Sequence, residues 1–128
     1  MTTDTTKGVK VTVDTEYQQE YSNPAQGHYV FTYQITIENL GDKTIQLLSR
    51  HWDIIDCTNP SRSVDGEGVV GKQPILEPGQ RHEYVSGCNL KSGFGKMLGY
   101  YTMERMVDGK RFDVKIPAFD MVVPFKLN

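Results

Sequence analysis

The sequence predicts an all-β chain folded as an antiparallel β-sandwich, and three observations predict it. Apolar and β-branched residues alternate with polar ones along several runs. Six prolines and twelve glycines are scattered through the 128 residues. No long window shows the 3.6-residue period that a helix requires. Short strands interrupted this often by turns are the pattern of two antiparallel sheets packed face to face.

The elements follow in order. Val9, Val11 and Val13 alternate with Lys10, Thr12 and Asp14. Residues 1–8 ahead of them read as a flexible, polar N-terminal tail, which leaves 9–128 as the folded domain. In HYVFTYQITIEN, Tyr29, Phe31, Tyr33, Ile35 and Ile37 share one face, with Thr32, Gln34, Thr36 and Glu38 on the other, as in a half-buried strand. NLGDKT is a turn cluster. TIQLLSRHWDIID then extends, with Leu48, Trp52 and Ile54 on one face and Arg50 breaking the apolar row.

RHEYVSG and KMLGYYTMERMV read as further strands. Of Tyr100, Tyr101, Met103 and Met106, one of each adjacent pair is expected in the core and the other on a sheet face, where it would suit a protein partner. Asp108-Gly109 predicts a hairpin, because glycine supplies the positive φ of a tight turn without strain. Phe112, Val114 and Ile116 form the next apolar face, and Met121, Val122 and Val123 end the core before Pro124.

Composition narrows the function. With 14 basic and 16 acidic residues the net charge is -2, which argues against a dedicated nucleic-acid binder. No apolar stretch approaches membrane-spanning length and MTTDTTKGVK lacks a signal-peptide core, so a cytoplasmic setting with no membrane span is expected. Trp52 precedes both cysteines, whereas an immunoglobulin core sets its Trp between two bridged ones. Cys57 and Cys88 therefore read as free thiols packed as small apolar groups.

One motif asks for a ligand. VDGEGVVGKQP places Gly66, Gly68 and Gly71 in the spacing G-x-G-x-x-G. In a dinucleotide-binding unit that spacing opens directly into a helix whose N-terminus carries the pyrophosphate. Here KQPILEPGQR follows, and Pro74 and Pro78-Gly79 forbid a helix of useful length. The Rossmann reading fails. Two readings remain: backbone N–H groups of the loop form an anion-binding concavity, helped by Lys72 and by Arg50 if its guanidinium reaches the loop, or the glycines serve bulges and tight turns.

Other constellations are thinner. His51 and Asp53 project to one side of a strand, but two ligands do not make a metal site, and nothing in the sequence brings His82 or Glu83 to them. No metal and no cofactor are expected. Ser49 and His51 are neighbours on one strand rather than groups converging from separate elements, and YVSGCN lacks the leading glycine of a nucleophile elbow. No catalytic residue is assigned.

LLSRHWDIID, GEGVVGKQPILEPG, YVSG, GKMLGYYTM and FDVKIPAFDM occur in the order seen in the ApaG family. The chain resembles that family from about Val9 to Pro124, most specifically from Gly66 to Gly79. The resemblance implies an immunoglobulin- or fibronectin-III-like sandwich, no established catalytic residues, a glycine motif likened to a pyrophosphate-binding loop, and a link to cobalt resistance and magnesium efflux. It also implies recognition of a protein partner. The expected function is a non-enzymatic binding module for a protein partner, with pyrophosphate or a nucleotide as a possible ligand of Gly66, Gly68, Gly71, Lys72 and Arg50. The alternatives are a hydrolase of diphosphate-containing nucleotides, for which His51 with Asp53 is the only hint, and a homodimer formed through an exposed sheet edge.

Overall fold

The structure is a computed structural model that describes residues 1–124; residues 125–128 of the expected domain lie outside the described residues. The described residues form β1 (Thr2–Thr6), β2 (Val9–Tyr17), β3 (Tyr29–Asn39), β4 (Ile45–Asp56), β5 (Arg62–Glu67), β6 (Ile75–Leu76), β7 (Arg81–Leu90), β8 (Phe94–Arg105) and β9 (Arg111–Val122). Two 3₁₀ turns, Gln19–Tyr21 and Pro24–Gln26, link β2 to β3. One sheet has the order β1-β2-β3-β7 and the other β5-β4-β8-β9, with β6 paired to the start of β4. Every pairing is antiparallel, and the two sheets pack as an immunoglobulin/fibronectin-III-like sandwich.

Alternation delivers the core. Val9, Val11 and Val13 of β2, and Phe31, Tyr33, Ile35 and Ile37 of β3, are buried against Trp52, Ile54, Met97, Tyr101, Met103, Val114 and Ile116 of the other sheet. Each such side chain contributes about 1.5–3 kcal/mol by leaving water. Trp52 packs against Tyr33 and edge-on against Phe119, with ring centroids 5.5 and 6.0 Å apart. Tyr84 of β7 and Tyr101 of β8 join hydroxyls across the sandwich, so the two buried phenols satisfy each other. Tyr101 and Met103 face the core while Tyr100 and Met106 are exposed, one of each pair as expected.

Three expectations change. Residues 1–8 are not a loose tail: Thr2–Thr6 pair with Val9–Val13 around a Lys7-Gly8 turn. The strand is held by its backbone ladder and by β-branched threonines, and carries no apolar stripe to announce it. Leu48 does not share the face of Trp52 and Ile54. A bulge lies between Leu47 and Ser49, opposite Met103 and Thr102. The extra residue inverts the alternation, so Leu47 is buried before it, and Arg50, Trp52 and Ile54 turn inward after it. Finally, both cysteines are free, but only Cys88 is packed; Cys57 stands exposed where β4 ends in a turn.

Candidate functional site: the glycine loop and Arg50

β5 borders β4, and the chain turns sharply after Glu67. The Gly68 N–H donates to Leu48 O at 2.8 Å, and Val69 and Lys72 exchange both backbone bonds, at 2.8 and 3.1 Å. Between them Val70 and Gly71 have φ of +48° and +76°. Positive φ at both central residues is the signature of a type I′ hairpin turn. Val69 is buried in the core, and the Gln73 side chain donates to Leu48 O at 2.8 Å, so the bulge in β4 is the anchor of the loop.

Each glycine of the G-x-G-x-x-G string has its own physical reason. A Cβ on Gly66 would sit 2.6 Å from Arg50 Nη2, because the guanidinium lies over that backbone. A Cβ on Gly68 would sit 2.2 Å from Lys72 O, at a φ of +60°. Gly71 has open space around it and needs glycine for its φ alone. No helix follows: the next regular element is the two-residue β6.

Arg50 does reach the loop. It is opposite the inward-facing Tyr101 in the ladder, and its Nη1 donates to Glu67 O at 3.0 Å and Gly68 O at 2.9 Å. A half-buried guanidinium thus receives two carbonyl partners in place of water. The structure brings Arg50, Gly66 and Gly68 together and leaves Lys72 exposed beyond them. Of the amides from Gly68 to Lys72, those of Gly68, Val69 and Lys72 are engaged. Those of Val70 and Gly71 donate to no group among the described residues.

On the outer face of the same strand, His51 Nδ1 lies 2.6 Å from an Asp65 oxygen and its Nε2 3.2 Å from Asp53 Oδ1. Its ring stacks on Tyr100 with centroids 5.0 Å apart. The hydrogen bond to Asp65, with the charges of Asp65 and Asp53, holds His51 above the usual imidazole range. The hydrogen bond from Ser63 and then the His51 charge hold Asp53 below the usual carboxylate range. His51 and Asp53 therefore meet as the strand parity requires, but their partners are Asp65 and Ser63 on β5, which the sequence did not point to. Among the described residues no group of three or more His, Cys, Asp and Glu side chains is arranged to hold a metal ion.

His82 lies on the other sheet, stacked near Tyr84 at 6.2 Å. Burial and the Lys72 charge hold it below the usual imidazole range. Burial also raises the phenols of Tyr33, Tyr84 and Tyr101 and the Cys88 thiol, so all four stay protonated at neutral pH. No helix among the described residues is long and apolar enough to cross a membrane.

These features define an antiparallel β-sandwich whose glycine-rich hairpin is pinned to a bulged strand by an inward arginine. The family profile described as the ApaG domain matches residues 19–105. The chain is 44% identical over 119 residues to Protein ApaG of Brucella abortus strain S19, covering 93% of this chain and 91% of that one. It is 46% identical to Protein ApaG of Methylorubrum populi over the same shares. The crystal structure of a Bordetella pertussis protein named ApaA superposes with a TM-score of 0.87 at 40% identity, covering 95% of each chain. The chain belongs to the ApaG family.

Proposed function

We propose that the protein is a non-enzymatic binding module that offers the tip of its glycine loop to a protein partner in the cytoplasm. A phosphate-class anion, pyrophosphate or a nucleotide, would bind as a second activity on the Val70 and Gly71 amides beside Lys72. The observation that carries the reading is Val70: its side chain is 61% exposed at a φ of +48°. A β-branched residue in that region costs on the order of 1–3 kcal/mol, and at this turn Asn or Gly would avoid the cost. What the position contributes in return is a projecting isopropyl group, with exposed Lys72 beside it on the loop and exposed Ile75 on β6. A small apolar tip on a pinned hairpin suits insertion into a partner's pocket.

In this reading Gly66, Gly68 and Arg50 are the loop's internal support, and Gly71 and Lys72 its ligand-facing part. The cobalt and magnesium link of the family would act through the partner. The test compares the wild-type protein with Val70→Asn, which keeps the turn, and with Val85→Asn, which changes an exposed aliphatic elsewhere. Partners captured by wild type and Val85→Asn but lost by Val70→Asn are expected; equal capture by all three overturns the tip. For the anion, pyrophosphate is expected to shift the amides of Val70, Gly71 and Lys72 saturably, and an unchanged spectrum removes that part. Turnover of a diphosphate-bridged dinucleotide with magnesium would overturn the non-enzymatic reading.

A further inference from the structure

A second concavity lies at the end of the sandwich where the β1–β2, β3–β4 and β8–β9 turns meet. Its volume is about 230 Å³. Val9, Ile45 and Phe112 give it an apolar floor, and its walls carry Lys7, Lys43, Arg105, Lys110 and Arg111 against one acid, Asp42. Arg105 is neutralised by Asp108 through a two-pronged pair, which holds the Asp108 carboxyl down at about 2. Glu104 stands opposite Arg111 in the ladder without approaching it as an ion pair. Lys7, Lys43 and Arg111 have no carboxylate within 4 Å among the described residues. In a chain whose net charge is -2, Lys7, Lys43 and Arg111 around one apolar floor, with Lys110 sharing the Asp108 carboxylate with Arg105, are a local reversal of sign, and such a cleft concentrates anions.

The walls are built rather than fluid. Asn39, 2% exposed, donates to Lys43 O and Leu76 O at 2.8 and 2.9 Å and accepts from the Gly41 N–H at 3.0 Å. The Leu40 N–H donates to Gly8 O at 2.8 Å. Lys7 has a φ of +49°, and its Nζ lies 5.8 Å from the centre of the Phe112 ring. The cleft thus presents a ring face, aliphatic side chains and several ammonium and guanidinium groups from three separate turns.

We infer that this cleft binds a small organic anion made of one apolar ring and one dianionic head group, an aryl phosphate in chemical class. The size decides between a single ring and a dinucleotide, since ligand pockets usually run to roughly 300–1,000 Å³ and this one is smaller. The floor takes the ring, and the ring of cations takes the charge. The site is separate from the Val70–Lys72 tip and independent of the function proposed for it.

Phenyl phosphate titrated into the ¹⁵N-labelled protein tests the inference. Saturable shifts at Lys7, Gly41, Lys43 and Arg111 are expected. Read at those four amides, the Lys43→Ala/Lys110→Ala double variant should bind about tenfold more weakly or worse, and Lys72→Ala, which alters only the glycine loop, should leave their titration as in wild type. All three lysines are exposed, so these variants keep the fold. No saturable shift by about 10 mM ligand, a binding energy near the millimolar limit, overturns the site. So does unchanged affinity in the double variant. Equal binding of inorganic phosphate overturns the role of the floor, and equal binding of phenol overturns the role of the cations. Loss of the shifts at Lys7, Gly41, Lys43 and Arg111 in Lys72→Ala alone would move the site to the glycine loop.

Discussion

Two hairpin turns of this molecule share one backbone geometry and have opposite surroundings. Lys7-Gly8 joins β1 to β2 with φ of +49° and +80°; Val70-Gly71 joins Val69 to Lys72 with +48° and +76°. At the first turn, a Cβ on the glycine would meet the Gly41 backbone at 3.2 Å; at the second it would meet nothing within 4 Å. In the first the tight packing is in the turn itself. In the second it has moved to the root, where Gly68 touches Lys72 O and Gly66 seats Arg50. The same two-residue signal therefore builds a wall in one place and a free tip in another. What surrounds the turn, not the turn type, decides which.

The largest effect that would break this contrast lies at the root. Gly68→Ala drives a Cβ to 2.2 Å from a backbone oxygen at a φ of +60°. Nothing flexible is there to yield, so the loop must come away from β4, and a loss of about 3 kcal/mol or more is expected in denaturant unfolding. A loss under about 1 kcal/mol would show that the loop is not pinned as described. Next come the two turn glycines. Gly8→Ala combines the backbone penalty with the Gly41 contact and should cost about 2 kcal/mol, against about 1 kcal/mol for Gly71→Ala, which carries the φ penalty alone. Equal losses would erase the distinction between wall and tip.

How much of this was legible in the sequence depended on whether the information was periodic. β2 and β3 announce their inward faces because apolar residues alternate along most of each strand. β9 does so as far as Ile116, where a register shift moves the inward face to Phe119 and Met121, and the sandwich follows. The face of Leu48 is not legible because one bulged residue inverts the parity of all that follows, and nothing in QLLSR marks which leucine is extra. β1 gives no signal because TTDTT holds its place through its backbone and has no apolar face to display. The glycine spacing was visible, but its meaning was not. That Gly66 makes room for Arg50 is a contact across two strands, and that Asp65 and Ser63 complete the His51–Asp53 cluster depends on the β4–β5 register. The cation cleft gathers residues from three turns that lie far apart in the chain, so no local pattern could reveal it.

The smallest expected effect concerns the strand that leads into the loop. β5 has β4 as its ladder partner, and His51 with Asp65 adds a charged clasp to that pairing. Because the folded state holds the His51 pKa above its unfolded value of about 6.5, the protonated imidazole favours folding. That contribution is fully present below the unfolded pKa and is lost as pH rises through the folded one. Unfolding free energy should therefore show a shallow decline from near pH 6.5 upward, attributable to this pair. Asp65→Asn removes the hydrogen-bonding carboxylate and should flatten the decline. Amide exchange of Val64 and Gly66, whose N–H groups face β4 in this register, should quicken in the wild type between pH 6 and 8 by more than the intrinsic pH effect, and not in the variant. If wild type and Asp65→Asn keep the same pH slope, the clasp does not hold β5, and the pinning of the loop rests on Arg50 and the Gly68 contact alone.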